Sequence, residues 1–169
     1  LADLPVIADL GVTMLNAGLD ICYNNGPAYS PRLFEQHVLP QLQRITAAAH
    51  AHGLYYIYRT DGNTWPIAEL LFVRSGADGA GEIDIQAGMR LGQMREKMPE
   101  LTLVGGVDCA GALVSGMGED VKAETTAALQ ATGGRRHIVS ASNLVMPETP
   151  TANYLAMIEA AHGFEIPAD

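Results

Sequence analysis

The stretch Gly53-Leu-Tyr-Tyr-Ile-Tyr-Arg-Thr-Asp-Gly-Asn63 places the strongest constraint on the fold. Leu54 to Tyr58 is unbroken apolar and aromatic, the pattern of a strand buried on both faces of a parallel sheet. It gives way at once to Arg59, Asp61, Gly62 and Asn63, and Trp65 to Phe72 then reads as a helix with Pro66 in its first turn. A buried strand that hands an Arg and an Asp to a Gly-containing loop before a helix is a βα unit with its chemistry at the strand's carboxyl end. Taken alone, Asp61-Gly62-Asn63 serves equally well as turn and cap chemistry. The recurrence of the pattern along the chain favours the functional reading.

From the start, Leu4 to Ala17 carries apolar residues at helical spacing and stops at Gly18, so a helix is expected there. Leu19 to Tyr23 follows as the first short strand, ending in Asn24-Asn25-Gly26. Ser30-Pro31 opens a long helix with Phe34, Val38, Leu39, Leu42 and Ile45 as its apolar stripe. Pro40 interrupts it, which predicts a kink or two abutting helices. Beyond the Trp65–Phe72 helix, a Gly-rich strand over 78–83 and a helix over 87–98 are expected. The buried strand Leu101 to Asp108 comes next, then a helix over 119–132 whose acidic start suits the positive end of its dipole. His137 to Ser142 is the last strand and Thr151 to Ala161 the last helix.

Five strands, each followed by a helix and without hairpin signals between them, predict an α/β fold with a parallel sheet. A complete (β/α)8 barrel takes roughly 250 residues. The 169 residues here therefore suit part of a TIM barrel, about five parallel βα units, or a small open sheet. No GxGxxG or GxxxxGK[ST] follows the first strand, which speaks against a nucleotide-binding doubly wound domain.

Composition removes other classes. With 48% hydrophobic and 17% charged residues the chain is globular rather than disordered. A net charge of −9 and scattered basic residues argue against nucleic acid as a partner. No apolar run reaches the roughly 20 residues needed to span a bilayer, and no signal peptide is visible. Cys22 and Cys109, far apart in sequence, read as reduced thiols of a cytoplasmic protein.

The strands end in Asn24 and Asn25, in Arg59 and Asp61, in Glu82 and Asp84, in Asp108 and Cys109, and in Ser142 and Asn143. In a parallel barrel these ends share one rim and converge on one pocket. Asp61, Glu82 and Asp108 are the candidate catalytic acids, because clustered carboxylates shift one another's pKa and suit proton transfer. Arg59, Asn63, Asn24 and Asn143 are the candidate substrate-binding residues, Arg59 matching a substrate carboxylate or Asp61. Asp84 and Asp108 also fit as caps of the next helix, and Cys109 fits as a small core residue. The histidines lie on helices or, for His137, at the amino end of a strand, so no His/Cys zinc site is spelled out.

Several stretches, taken in order, resemble the uroporphyrinogen decarboxylase superfamily. They are Tyr29-Ser-Pro-Arg-Leu-Phe34 with Leu39-Pro40, Asp61-Gly-Asn63, Gly105-Gly-Val-Asp108, Gly116-Met-Gly-Glu-Asp-Val121, and Pro147-Glu-Thr-Pro150 leading to Asn153 through Ala160. The resemblance covers nearly the whole chain and implies that residues 1–169 are the C-terminal part of a (β/α)8 barrel whose N-terminal half is absent. That superfamily holds cofactor-free haem-pathway decarboxylases and zinc methyltransferases that move methyl groups between corrinoids and thiols. The decarboxylases carry a His where Asn143 stands. The zinc enzymes carry a His-x-Cys where Arg59-Thr60-Asp61 stands and a Cys in place of Asn143. The resemblance thus implies no zinc of that type and no tightly bound cofactor, with a corrinoid entering only as a substrate of the parent enzyme.

The parent activity so implied is corrinoid-linked methyl transfer, with uroporphyrinogen decarboxylation and a non-catalytic binding or assembly module as alternatives. The expected partner is a small-molecule substrate or a corrinoid protein. A second copy is also expected, because five strands leave the edges Leu19–Tyr23 and His137–Ser142 unpaired.

Overall fold

The structure, a computed structural model, describes residues 1–168. In chain order it contains α1 (Leu4–Asp9), β1 (Met14–Gly18) and a small hairpin of β2 (Cys22–Tyr23) and β3 (Gly26–Pro27). Next come α2 (Pro31–Leu33), a π-helical stretch over Phe34–Val38, and α3 (Leu39–Ala51). β4 (Tyr55–Arg59) leads into a 3-10 turn, Trp65–Ile67, and a second π-helical stretch, Glu69–Arg74. Then follow β5 (Gly79–Ile83), α4 (Leu91–Lys97), β6 (Thr102–Val107), α5 (Ala112–Ser115), α6 (Gly118–Thr132), β7 (His137–Ala141) and α7 (Thr151–His162).

Five of the strands form one parallel sheet in the order β1-β4-β5-β6-β7. Strands adjacent in the main chain order are thus adjacent in space and joined by helical crossovers, the arrangement of consecutive units in a (β/α)8 barrel. β1 and β7 are the two edges of this sheet.

One side of the sheet carries the core. Tyr56, Tyr58, Ala80 and Leu103 pack with Phe34, Leu42, Leu71 and Met94 from the helical segments. A second cluster joins Val107 and Ala141 to Leu113, Val121, Ala156 and Met157. Strand alternation sends Tyr55, Ile57 and Arg59 of β4 to the other side. Ile57 is buried there over Gly79, where any Cβ would meet its Cδ1. Tyr55, by contrast, is 62% exposed. The strand is covered on both faces at its middle and open at its ends.

Two expectations fail at the N-terminal end. Leu4 to Ala17 is not one helix, and the first sheet strand is Met14–Gly18 rather than Leu19–Tyr23. The helix stops at Asp9 because Gly11, at φ 79°, turns the chain, and Thr13 O then accepts from Tyr55 N at 2.9 Å to start the pairing with β4. Gly18 is no helix cap. It lies against the carbonyl of Arg59, where a side chain has no room.

Elsewhere the differences are local. Pro40 has no N–H to give, and the π-helical turn over Phe34–Val38 absorbs the gap before α3 resumes, the abutting arrangement that the proline requires. α4 begins at Leu91 rather than 87. Asp84 Oδ1 holds the N–H groups of Gln86 and Ala87 at 2.9 and 3.0 Å, and Gly88 at φ 85° breaks the helical path.

Candidate functional site

β4 delivers the central loop. Thr60 is buried, accepts from Ile21 N at 3.3 Å and donates to Asp61 O at 3.2 Å, which fixes the first turn after Arg59. Gly62 stands at φ 78° with the backbone of Cys22 and Tyr23 only 2.9 Å from where a Cβ would be. The β2–β3 hairpin therefore lies directly on this loop, and Asn63 N donates to Tyr23 O at 2.9 Å. The Asn63 side chain accepts from Trp65 N at 3.1 Å, so it caps the following turn.

Two clefts open at the carboxyl ends of the strands. One, of about 250 Å³, is bordered by Asn16, Arg59, Glu82, Ser140 and Asn143. The other, of about 530 Å³, is bordered by Asp20, Cys22, Asn24, Asn25 and Asp61. A hydrogen bond from Asn143 Nδ2 to Asp61 Oδ2, 3.0 Å, joins a residue of the first to a residue of the second.

Glu82 is the most constrained group in the smaller cleft. Its backbone is left-handed, φ 59°, at the point where β5 shifts register against β6. A non-glycine residue there is strained by about 1–3 kcal/mol. The twist turns its carboxylate, 8% exposed, onto the Nη2 of Arg59 as an ion pair. The Arg59 side chain stays 47% exposed. Its guanidinium is held above the ordinary range by the hydrogen bond to Glu82 and by that carboxylate's charge, with Asp20 and Asp61 adding to the effect.

Asp61 and Cys22 titrate upward. Burial is the main cause for Asp61, followed by the negative charges of Asp20 and Asp84, with the Asn143 bond opposing. Cys22 is pushed up to about 11 by burial and by the charge of Asp61, so it is a neutral thiol at pH 7. The larger cleft thus has acidic groups and no cation among its bordering residues.

Asp84 and Asp108 continue the rim but spend their oxygens on it. Asp84 Oδ2 accepts from Gly62 N at 3.2 Å while Oδ1 holds the turn before α4. Asp108 is buried, accepts from Ala110 N at 3.0 Å and from the side chain of Gln86, and borders neither cleft. Its own N–H donates to Glu124 Oε1 at 2.5 Å. Burial works to raise the Asp108 pKa, but the bonds from Gln86, Gly111 N and Ala110 N outweigh it and hold the carboxyl below its ordinary range.

The structure therefore brings Arg59, Asp61, Glu82, Asn24 and Asn143 to the clefts, and gives Asn63 and Asp108 to loop geometry. Asn24 arrives by the hairpin turn rather than by a strand end. Ser142 Oγ accepts from Cys109 N at 3.1 Å, tying the last two rim loops together. Asn16, Ser140, Asp20 and Glu124 were not foreseen. Asn16 would have followed from reading Met14, Asn16 and Gly18 as one face of a strand. A roomier groove of about 750 Å³ between Trp65, Val73 and Lys97 reaches none of the strand-end residues.

Among the described residues, no group of three or more His, Cys, Asp or Glu side chains could hold a metal ion. Nor is any helix long and apolar enough to cross a membrane.

The family model described as uroporphyrinogen decarboxylase (URO-D) matches residues 9–164. A search of curated proteins found no match. Among solved structures, a methyltransferase from Methanosarcina mazei superposes with a TM-score of 0.78 at 21% identity, over 94% of this chain and 44% of that one. The chain spans less than half the length of that protein. At this identity the likeness is one of fold.

Proposed function

Because the chain belongs to the uroporphyrinogen decarboxylase family, we propose that it is the C-terminal part of the catalytic barrel of a corrinoid-linked methyltransferase in the cytoplasm. The observation that carries this reading is Asp61, whose carboxyl keeps its proton above the ordinary range while hydrogen-bonded to Asn143 at the junction of the clefts. A methyl donor that loses its methyl group as a cation equivalent keeps the bonding pair, and Asp61 supplies the proton that pair takes up. The corrinoid, or the protein that carries it, receives the methyl group as a substrate. Glu82 holds Arg59 charged, and Arg59, Asn24 and Asn143 orient the donor. Asp108 and Asn63 fix the loops between which it sits.

Zinc of the thiol-transfer type does not fit these residues. A guanidinium cannot ligate a cation, and Arg59, Asp61 and Asn143 offer no thiolate or imidazole at those places.

Decarboxylation is supported by the same Asp61, since a carbanion left by loss of carbon dioxide needs a proton donor and a raised carboxyl is a readier one. The two readings separate in one experiment. The protein is incubated with reduced cobalamin and a methyl donor panel and followed by visible spectroscopy, and in parallel with uroporphyrinogen while released carbon dioxide is measured. Methyl transfer that falls at least about 100-fold in Asp61→Asn supports the methyltransferase reading. Carbon dioxide release with the same loss supports the decarboxylase. Neither activity, from protein that folds, leaves a non-catalytic binding or assembly module.

A further inference from the structure

We infer that the two strand-end clefts form one bipolar site for a small zwitterion, with its ammonium end against Asp20 and Asp61 and its carboxylate against Arg59. This rests on the reading of these clefts as the substrate site and names the chemical class of that substrate.

The smaller cleft is built for a carboxylate. Arg59 uses only Nη2 on Glu82 among the described residues, so one edge of its guanidinium is left with hydrogen-bond donors directed away from the protein's own acid. Asn16 and Ser140 border the same space, and neither side chain has a hydrogen-bond partner among the described residues. A volume of about 250 Å³ is below the usual range of drug-sized sites and suits a group of a few atoms.

The larger cleft is built for the opposite charge. Asp20 is exposed and borders it together with Asp61, and the amides of Asn24 and Asn25 supply acceptors beside them. Cys22, as a neutral thiol, adds no charge. Glu82 already neutralises Arg59, so Asp20 leaves uncompensated negative charge beside the pair, and Asp61 adds to it whenever it is ionised. A dianion would be repelled from the larger cleft. A simple cation would leave the free edge of Arg59, Asn16 and Ser140 without partners. A molecule carrying both charges satisfies the two clefts at once, and the Asn143–Asp61 bond marks where they meet.

The test is calorimetric titration with glycine, β-alanine, γ-aminobutyrate and 5-aminovalerate, which space the two charges progressively. Butyrate and butylamine serve as analogues with one charge each. One chain length should bind at least about tenfold tighter than both single-charge analogues, since a hydrogen bond to a charged group contributes that much or more. Asp20→Asn, at an exposed side chain, should reduce that ligand to the affinity of butyrate. Arg59→Gln with Glu82→Gln, which removes both charges of the ion pair together, should reduce it to the affinity of butylamine. Butyrate binding as tightly as every amino acid, or no binding by any member, overturns the inference. A clear zwitterion preference without methyl transfer or decarboxylation overturns the functional reading and leaves this one standing. Turnover without any such preference does the reverse.

Discussion

Asp61 and Asp108 both follow the carboxyl end of a strand yet titrate in opposite directions, and the difference lies in what each carboxylate accepts. Asp61 has one side-chain donor, Asn143, against burial and two acidic neighbours. Asp108 has Gln86 and two backbone N–H groups, enough to outweigh its burial. The linkage signs follow. A raised folded-state pKa contributes stability that is present below the unfolded value and lost as pH rises through the folded one. Asp61→Asn keeps an oxygen to accept from Asn143 and removes that loss, so it should melt higher than wild type at pH 7 and lose the advantage at or below the ordinary aspartate range. Asp108→Asn should behave oppositely. Its depressed pKa contributes stability above the unfolded value, lost as pH falls through the folded one, so the variant should cost about 2 kcal/mol at pH 7 and progressively less in acid. Paired thermal melts from pH 3 to 7 check both, and parallel curves for either variant would contradict its assignment.

At the scale of elements, the paired irregularities of β5 and β6 shape the site. Glu82 takes a left-handed backbone where β5 shifts register, and across from it Gly105 and Gly106 of β6 stand at φ 135° and 106°. Gly106 also lies beneath α4 and α6: an added Cβ would fall 2.8 Å from Leu91 Cδ1 and 3.1 Å from the Cβ of Ala128. His137 helps to hold this bend, its Nε2 3.1 Å from Gly105 O and its Nδ1 3.0 Å from Thr132 Oγ1. Gly106→Ala should therefore cost about 2–4 kcal/mol through crowding and backbone strain, read from the urea midpoint. A change under about 0.5 kcal/mol would show that the bend yields freely.

These elements also show what the chain's spelling reveals. β4, β6 and β7 were legible because Leu54–Tyr58, Leu101–Val107 and His137–Ala141 are short, largely apolar stretches bounded by breakers. β1 was not, because Leu10, Met14 and Leu15 continue the helical spacing begun at Leu4, and strand pairing with Tyr55–Arg59 overrides it. With β1 displaced, Asn16 could not be placed in the cleft. Arg59, Asp61 and Asn143 were legible as strand-end residues. The pairing of Arg59 with Glu82 rather than Asp61 was not, since Glu82 reaches Arg59 only through a backbone twist that no local pattern announces.

For the whole molecule, the free edges of the sheet lead to a prediction about association. The edge strands are Met14–Gly18 and His137–Ala141, and neither carries the Lys or Pro that blunts natural edges. On the sheet face away from the core, Tyr55 is 62% exposed, Ile138 43% and Met14 39%. Covering them would contribute on the order of 2–5 kcal/mol per copy. Association costs at least about 4 kcal/mol in lost freedom, so apolar cover alone gives little, and edge hydrogen bonds at about 1 kcal/mol each must supply the rest. The net charge of −9 opposes contact between like copies and is screened by salt. The balance gives a weak self-association, of roughly micromolar strength, that tightens with ionic strength. Sedimentation velocity across concentration and salt reads this directly. Ile138→Lys, which puts a charge on the exposed face of the β7 edge, should shift the chain toward monomer without lowering its melting temperature as a monomer. A wild-type chain that sediments as a monomer at about 100 μM in high salt, with a melt independent of concentration, would show that the five-stranded unit is complete without a partner.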